Sequence, residues 1–278
     1  MTLLNKFILL AILATFGVKT TYAQGNILDC DNSRRFANYL YNTRQYELAM
    51  HELERINFFC EPDSGTQLIL LKSYRKLKNF SPANNFFSDK SDIQLQALTP
   101  GFREEYIRLL MTQKQYSEVK LAIENGLTFR EKQEHLLGLE LLEGNFQNAY
   151  ALSKEATSSS AKMNALVNIS VRSHETPRKK PWLATIMSAV IPGSGKMYSG
   201  YWGDGLISLL FTASSSFFTY RAFNKYGTNK VYPWIAGGLS VSYYAGNIYG
   251  GHKAAVRYNN NIEHGFIHQT EQILFTGY

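Results

Sequence analysis

The feature that most constrains the fold is a short motif that recurs four times between residues 45 and 152. In each copy a glutamine or asparagine follows a polar turn and precedes an aromatic residue, and successive aromatic residues lie 34, 36 and 30 positions apart. A small or β-branched residue follows three positions after each aromatic residue, and a larger apolar residue comes later. The copies are Gln45-Tyr46 with Ala49 and Leu53, Asn79-Phe80 with Ala83 and Phe87, Gln115-Tyr116 with Val119 and Ile123, and Asn145-Phe146 with Ala149 and Leu152. A repeat of this length with helical apolar periodicity predicts one helix–turn–helix hairpin per copy.

Hairpins of this kind are expected to stack, because one hairpin alone cannot bury both sides of its apolar face. The period and the order of residue types resemble those of tetratricopeptide repeats over residues 24–176, about half of the chain. The resemblance implies an all-α fold with a tetratricopeptide-like solenoid of helical hairpins. An irregular helical bundle with accidental spacing remains the alternative.

Solenoids of stacked hairpins bind peptides or protein segments on the concave face that their first helices build. We therefore expect a protein partner on this part of the chain. Four polar residues of the first helices are candidates for the binding face, and a merely solvated helix surface is the alternative for each. They are Arg35, Asn38, Arg75 and Arg108.

The first 23 residues have the layout of a secretory signal peptide. Lys6 precedes an apolar run over residues 7–14, and small residues lead to a predicted cleavage site between Ala23 and Gln24. The apolar run is shorter than the ~20 residues that a membrane span needs. Export is therefore predicted, with an uncleaved N-terminal anchor as the alternative.

Export also favours a disulfide bond between the two cysteines of the chain, Cys30 and Cys60. If residues 31–43 and 46–59 form an antiparallel hairpin, its start and its end lie side by side. A bond there would stabilise the hairpin by ~3 kcal/mol in the loop-entropy description. Two unpaired buried thiols are the alternative.

The positive charge of the chain is concentrated in its last third. Residues 24–176 carry 18 lysines and arginines against 19 acidic residues, whereas residues 177–278 carry 9 against 3. A basic segment that is also rich in glycine and aromatic residues favours a membrane neighbourhood over nucleic acid. We therefore expect membrane lipid, and no nucleic acid, among the partners.

The composition changes at a basic linker over residues 177–181, which we expect to precede a membrane-associated helical domain over residues 182–278. Two apolar stretches, 206–223 and 231–249, form a predicted hydrophobic helical hairpin whose members approach the length of membrane spans. Small residues at four-residue spacing, Ser242, Gly246 and Gly250, are the predicted helix-packing face.

These stretches predict an inner-membrane protein with a periplasmic solenoid. The end of the first stretch and the loop after it carry Arg221, Lys225 and Lys230 and no acid, which would place that loop in the cytoplasm. A pair of helices packed on the solenoid, in a soluble periplasmic all-α binding protein, is the alternative. The sequence leaves the oligomeric state open.

Fixed motifs in this last third resemble a family of small, uncharacterised bacterial membrane domains. The chain has Pro-Gly-Ser-Gly-Lys-Met-Tyr-Ser-Gly over 192–200, Asp204-Gly205, Gly-Asn-Ile-Tyr-Gly over 246–250 and Ala-Ala-Val-Arg-Tyr-Asn over 254–259. The resemblance covers about 75 residues. It implies an envelope protein with a membrane-embedded region, and it implies no reaction.

The same region supplies the candidate polar site. Lys196, Tyr198, Asp204 and Asn247 could form a small pocket in or near the glycine loop 192–205 that binds a lipid headgroup or a partner, with a purely structural role as the alternative. Residues 193–196 lack the flanking glycine and the hydroxyl residue of a nucleotide-binding phosphate loop. The sequence thus predicts a non-enzymatic scaffold in envelope assembly, export or protein insertion, with no catalytic residue, cofactor or metal site; a lipid-binding or lipid-handling protein is the alternative.

Overall fold

The computed structural model describes residues 29–88, 97–126, 129–157 and 160–275, and the regular secondary structure within these ranges is entirely helical. The all-α prediction is confirmed, whereas the predicted signal peptide lies outside the described residues. Thirteen helices follow one another in these ranges: α1 (Cys30–Asn42), α2 (Tyr46–Phe59), α3 (Ser64–Lys76), α4 (Phe80–Ser88), α5 (Pro100–Thr112), α6 (Tyr116–Gly126), α7 (Phe129–Leu142), α8 (Phe146–Lys154), α9 (Ala161–Glu175), α10 (Pro181–Val190), α11 (Ser194–Tyr198), α12 (Trp202–Tyr226) and α13 (Val231–Phe275).

The chain forms two compact units, residues 1–115 and residues 116–278. The described part of the first unit holds α1 to α5, which bury an apolar core that includes Leu40, Leu53, Ile56, Leu71 and Leu109. The second unit holds α6 to α13.

Four turns of the chain share one backbone conformation. Arg44, Lys78, Lys114 and Gly144 have φ values of 63°, 57°, 60° and 78°, which lie in the left-handed region. The next residue in each turn donates its backbone N–H to a carbonyl five positions earlier, as Gln45 does to Leu40 and Asn79 does to Tyr74, both at 2.9 Å. This is the hydrogen bond of a Schellman helix end, so each helix before the aromatic residue is terminated in the same way.

The small residues of the recurring motif are all buried. Ala49, Ala83, Val119 and Ala149 each expose 0 % of their surface. A side chain no larger than valine at these positions allows the backbones of packed helices to approach closely.

Covalent and capping contacts secure the ends of the first helices. A disulfide bond joins Cys30 to Cys60 with the Cα atoms 5.9 Å apart, so the start of α1 lies beside the end of α2. Asp63 caps α3, because its carboxylate accepts the backbone N–H of Thr66 at 3.0 Å.

Helix α13 is continuous over 45 residues, so the apolar stretch 231–249 and the polar stretch after it belong to one helix. Its C-terminal half packs against the α7–α9 region, where it buries Phe266 and Leu274. A Cβ atom added to Gly138 on α7 would lie 3.0 Å from the Leu274 side chain, so this glycine makes room for the end of α13.

The predicted membrane spans and the inner-membrane location are wrong. Across the described residues, each helix falls short of the combined length and apolarity that crossing a bilayer requires. The physical reason is visible in α12, where the run of hydroxyl residues from 212 to 216 (interrupted by one alanine) and Arg221 dilute the apolar stretch 206–223.

Candidate functional site

The glycines of the loop between α10 and α12 allow its backbone to pack closely against both helices. Gly193 has φ of 90°, and a Cβ atom there would lie 2.1 Å from the Gly205 carbonyl oxygen. A Cβ atom at Gly195 would lie 2.0 Å from the Ala184 carbonyl oxygen. Both distances are shorter than any real contact, so the loop can sit against α10 and α12 only because these residues are glycines.

Helices α12 and α13 form a hairpin whose seam is small or polar. Ser240 of α13 lies 3.1 Å from Ser216 Oγ and accepts a longer hydrogen bond of 3.4 Å from Ser215 Oγ. The buried residues of α12 are Gly205, Thr212 and Ala222, and those of α13 up to residue 250 are Pro233, Ser240 and Asn247. None of them is a large apolar residue.

The outer surface of the same hairpin is apolar. Its exposed apolar and aromatic side chains are Leu206, Ile207, Leu210, Phe211, Phe217, Phe218, Tyr220, Tyr226, Val231, Tyr232, Trp234, Ile235, Leu239, Val241, Tyr243, Tyr244 and Tyr249. We call this set the outer face. Helix α10 adds exposed Trp182, Ile186 and Val190. A soluble globular protein seldom exposes so many large apolar side chains in sequence-adjacent helices, and such a surface marks an interaction site.

A cavity of about 330 Å³ opens beside this seam between α11, α12 and α13. Its lining combines a charged residue, hydroxyl groups and aromatic rings: Lys196, Ile207, Ser208, Phe211, Thr212, Ser242, Tyr243, Gly246 and Asn247. We call it the Lys196 cavity. Lys196 Nζ donates to Ser208 Oγ at 2.6 Å, and Asn247 is 4 % exposed.

Two of the four predicted pocket residues meet at this cavity, and two do not. Tyr198 turns to the linker, where its hydroxyl accepts the backbone N–H of Lys180 at 3.2 Å. Asp204 is exposed in the first turn of α12 and makes no ion pair with Lys196. Ser208 completes the polar group in their place, and the sequence offered no motif that would have singled it out.

The predicted packing residues have a different role from the expected one. Ser242 and Gly246 line the Lys196 cavity, and a Cβ atom at Gly246 would meet nothing within 4 Å. Close packing against α10 occurs at the residue after Gly250, because a Cβ atom at Gly251 would lie 2.2 Å from Ser188 Oγ. Gly250 gives space to Lys196, whose Cε would lie 2.8 Å from such an atom.

The basic linker 177–181 is fastened to α13. The Asn259 side chain accepts the backbone N–H of Lys179 at 2.8 Å and donates to the Lys179 carbonyl at 2.9 Å. The Lys179 ammonium lies 4.7 Å from the Tyr198 ring centre and 5.5 Å from that of Tyr258, which are cation–π distances. Arg178 adds an ion pair with Glu263 at 3.5 Å.

The four residues predicted for a partner-binding face also differ among themselves. Arg35 and Asn38 are exposed on α1 beside Phe36 and Tyr39, which are 52 % and 59 % exposed. Arg75 is buried, and its guanidinium donates to both carboxylate oxygens of Glu105 at 2.5 and 3.2 Å, so it is not free for a partner.

Arg108 is also engaged, because it donates to Glu104 one helical turn away at 2.5 Å. The candidate face therefore reduces to Arg35 and Asn38, together with the two exposed aromatic residues of α1. Within the described ranges, no group of three histidine, cysteine or acidic residues has the arrangement of a metal site.

The chain matches no protein-family model, no curated protein and no solved structure. The resemblances to tetratricopeptide repeats and to small bacterial membrane domains therefore remain predictions from the motifs themselves.

Proposed function

We propose that the protein is a non-enzymatic scaffold that carries a protein partner on its N-terminal hairpins and associates with an anionic lipid surface through its C-terminal helices, without crossing the bilayer. The observation that carries the proposal is the inverted polarity of the α12–α13 hairpin. The buried residues of its seam include Thr212, Ser240 and Asn247, while most of its large apolar side chains are exposed.

The hydrophobic effect explains why this inversion favours lipid. Removing apolar surface from water is worth about 25 cal/mol per Å², so a hairpin folded for water alone would bury its leucines and phenylalanines in the seam. In an apolar medium that drive vanishes, and helices associate through small residues and hydroxyl hydrogen bonds. The outer face is therefore suited to contact with acyl chains and the lipid interface.

The charge distribution favours lipid over a second copy of the chain. Residues 205–262 contain Arg221, Lys225, Lys230, Lys253 and Arg257 and no acidic residue. Each base near an anionic lipid surface contributes about 1 kcal/mol of attraction. Pairing two copies of this face would instead bring like charges together.

The tryptophans agree with this assignment. All three tryptophans of the chain, Trp182, Trp202 and Trp234, lie in the C-terminal helices and are 59 %, 65 % and 62 % exposed. Tryptophan favours the lipid–water interface, because its ring is apolar while its N–H needs a polar partner.

The proposal includes a tetratricopeptide-like arrangement of the helical hairpins that precede the C-terminal helices. Four turns with the same left-handed residue and four fully buried small residues support a regular series of helical hairpins. The exposed Phe36 and Tyr39, flanked by Arg35 and Asn38, supply aromatic anchors and hydrogen-bonding groups for a partner on α1.

Tryptophan fluorescence tests the lipid contact directly, because every tryptophan lies in the C-terminal helices. Vesicles with anionic phosphatidylglycerol should shift the emission of the full chain to the blue and carry it upward in flotation, and added salt should weaken both effects. Vesicles of pure phosphatidylcholine should do so far less.

A matched pair of double variants identifies the surface. Phe217→Ser with Phe218→Ser should reduce vesicle binding at least tenfold. Phe58→Ser with Phe59→Ser should leave it unchanged, although Phe58 and Phe59, at the end of α2, are more exposed than Phe217 and Phe218. Equal losses in both variants, or a stable dimer that binds no vesicle of either composition, would contradict the proposal.

The partner face is tested by photocrosslinking in cells that produce the full chain. A photoreactive residue at Asn38 should give a discrete crosslinked species, and one at the exposed Glu47 of α2 should not. Replacing Phe36 and Tyr39 by serine should abolish the species without changing protein abundance. Identical crosslinks from both positions would show that α1 has no specific partner.

A further inference from the structure

The Lys196 cavity has the composition of a ligand site, with one charged group and several hydroxyl groups between aromatic walls. Lys196, Ser208 and Asn247 face it from three different helices, and Phe211 and Tyr243 line its apolar side. Phe211 and Tyr243 also belong to the outer face, with ring centres 6.4 Å apart. The cavity therefore opens where the proposed lipid contact lies.

Lys196 is a half-buried cation without an acidic partner. Its ammonium has three donors, of which the structure uses one, on Ser208 Oγ at 2.6 Å. Among the described residues it takes part in no ion pair, and Asp204, the acid nearest to it in sequence, is exposed to solvent. A partly desolvated cation in such surroundings favours an anionic ligand, because desolvation strengthens its attraction to a counter-charge.

Asn247 presents a second unsatisfied group. Its side-chain nitrogen makes only a long hydrogen bond of 3.4 Å to the Ser188 carbonyl, and its Oδ1 is buried and accepts no hydrogen bond from the described residues. A buried carbonyl oxygen without a donor is destabilising, and a ligand hydroxyl that donates to it would remove that penalty. Gly250 lies three residues further along the same helix and holds the Lys196 side chain close to this face.

We propose that the Lys196 cavity binds the glycerol-phosphate headgroup of an anionic lipid. The phosphate oxygen accepts from Lys196, a headgroup hydroxyl donates to Asn247, and the acyl chains follow Phe211 and Tyr243 onto the outer face. This assignment rests on the proposed lipid contact, and it adds a specific site to a general surface affinity.

A soluble lipid separates the site from the surface. Dihexanoyl phosphatidylglycerol, kept below its micelle concentration, should bind the full chain at least tenfold more tightly than dihexanoyl phosphatidylcholine in calorimetry. Lys196→Met keeps the length of the side chain and removes its charge, and it should abolish this preference. The matched variant Lys114→Met removes an exposed charge outside the C-terminal helices and should change the affinity less than threefold. Retention of the preference in Lys196→Met overturns the proposal.

A glycine pair supplies a second test in which the lysine itself is kept. A methyl group at Gly250 collides only with the flexible end of Lys196, so Gly250→Ala should fold normally, displace the ammonium and reduce the affinity about tenfold. Gly238→Ala on the same helix meets nothing within 4 Å and should have no effect. Equal affinities for both variants would contradict the placement of Lys196 in the site.

Two further measurements separate a lipid headgroup from a free anion as the ligand, and the proposed site from the proposed surface contact. Inorganic phosphate should compete at least a hundredfold more weakly than dihexanoyl phosphatidylglycerol, and competition of equal strength would assign the cavity to a free anion. Binding of the soluble lipid without vesicle flotation would overturn the proposed surface contact and leave the site intact. Vesicle flotation without any preference among the soluble lipids would overturn the site and leave the surface contact intact.

Discussion

The α1–α2 hairpin and the α12–α13 hairpin are both pairs of sequence-adjacent helices, and they differ in the residues that they bury between the helices. In the first, Leu40, Leu53 and Ile56 are buried, and the charged residues face outward together with a few aromatic residues such as Phe36 and Phe58. In the second, Ser240 and Thr212 are buried, while Leu210 and Phe218 are 65 % and 63 % exposed. The covalent link also differs, because only the first hairpin is closed by a disulfide bond.

The difference shows that hairpin topology does not reveal what surrounds a hairpin, whereas the residues in its seam do. Water drives apolar side chains into the seam, and an apolar medium leaves the seam to serines and glycines. If this comparison is right, equivalent substitutions should have unequal effects in the two regions.

The largest effect is expected at the buried ion pair of the first unit. Arg75 and Glu105 have side chains that are 3 % and 2 % exposed. Arg75→Met leaves the Glu105 carboxylate buried without a partner and should lower the free energy of unfolding by about 3–5 kcal/mol in urea denaturation. The double variant Arg75→Met with Glu105→Leu should regain most of the lost stability. A loss below about 1 kcal/mol in the single variant would show that water reaches the pair.

The same leucine truncation should separate the two hairpins. Leu53→Ala, at a side chain that is 1 % exposed, should cost about 3 kcal/mol of unfolding free energy. Leu210→Ala should change that free energy by less than about 0.5 kcal/mol in water, because Leu210 is already solvated. In vesicle flotation the order should reverse, with Leu210→Ala weakening binding. Comparable destabilisation in water would break the comparison.

Substitutions in two of the four turns with a left-handed residue should change the stability of the protein in opposite directions. Lys78→Gly removes the strain of a side chain at φ of 57° and should stabilise the protein by about 1 kcal/mol. Gly144→Ala introduces the same strain at φ of 78°, where no atom lies within 4 Å of the added methyl group, and should destabilise by a similar amount. Thermal unfolding measures both. Two changes of the same sign would show that the turns are not equivalent.

The smallest expected effect concerns the decrease of the unfolding free energy at acidic pH. Hydrogen bonds from Thr66 and the neighbouring Arg34 guanidinium, 3.1 Å away, lower the pKa of Asp63 below its usual value. A lowered pKa in the folded state adds stability above the unfolded pKa of about 4, and this stability is lost as the pH falls through the folded pKa.

Asp63→Asn keeps the helix cap and removes the charge. It should therefore cost about 0.5 kcal/mol at pH 7 and progressively less as the pH falls toward 2, as measured by urea denaturation across that range. A constant difference at both pH values would assign the effect to capping rather than to the ion pair.

Local patterns in the sequence predict much of the fold. The aromatic residue that opens each second helix lies at the predicted position, because Tyr46, Phe80, Tyr116 and Phe146 each begin a helix. The small residues after them are buried as the motif requires. Both features depend on residues within one turn or two of each other, which is the range over which periodicity is informative.

Contacts between distant residues were harder to predict. The sequence predicts Arg75 on an open face because its partner Glu105 lies 30 residues later, with no motif to connect them. In the candidate site, the sequence predicts Lys196 and Asn247 but not Ser208, since one serine among many carries no pattern. The sequence predicts Gly250 on a helix-packing face, whereas in the structure Gly250 lies against Lys196 and the next residue, Gly251, lies against Ser188.

The continuity of α13 has a mechanical consequence. At 1.5 Å per residue, its 45 residues form a lever about 67 Å long. One arm is fixed by Phe266 and Leu274 among α7–α9, and the other carries the aromatic residues of the outer face. A tilt of about ten degrees at the fixed arm would displace the far tip by roughly 5–10 Å, by the same helical rise. We therefore expect a displacement of the α7–α9 region to move the far end of α13, which carries the outer face.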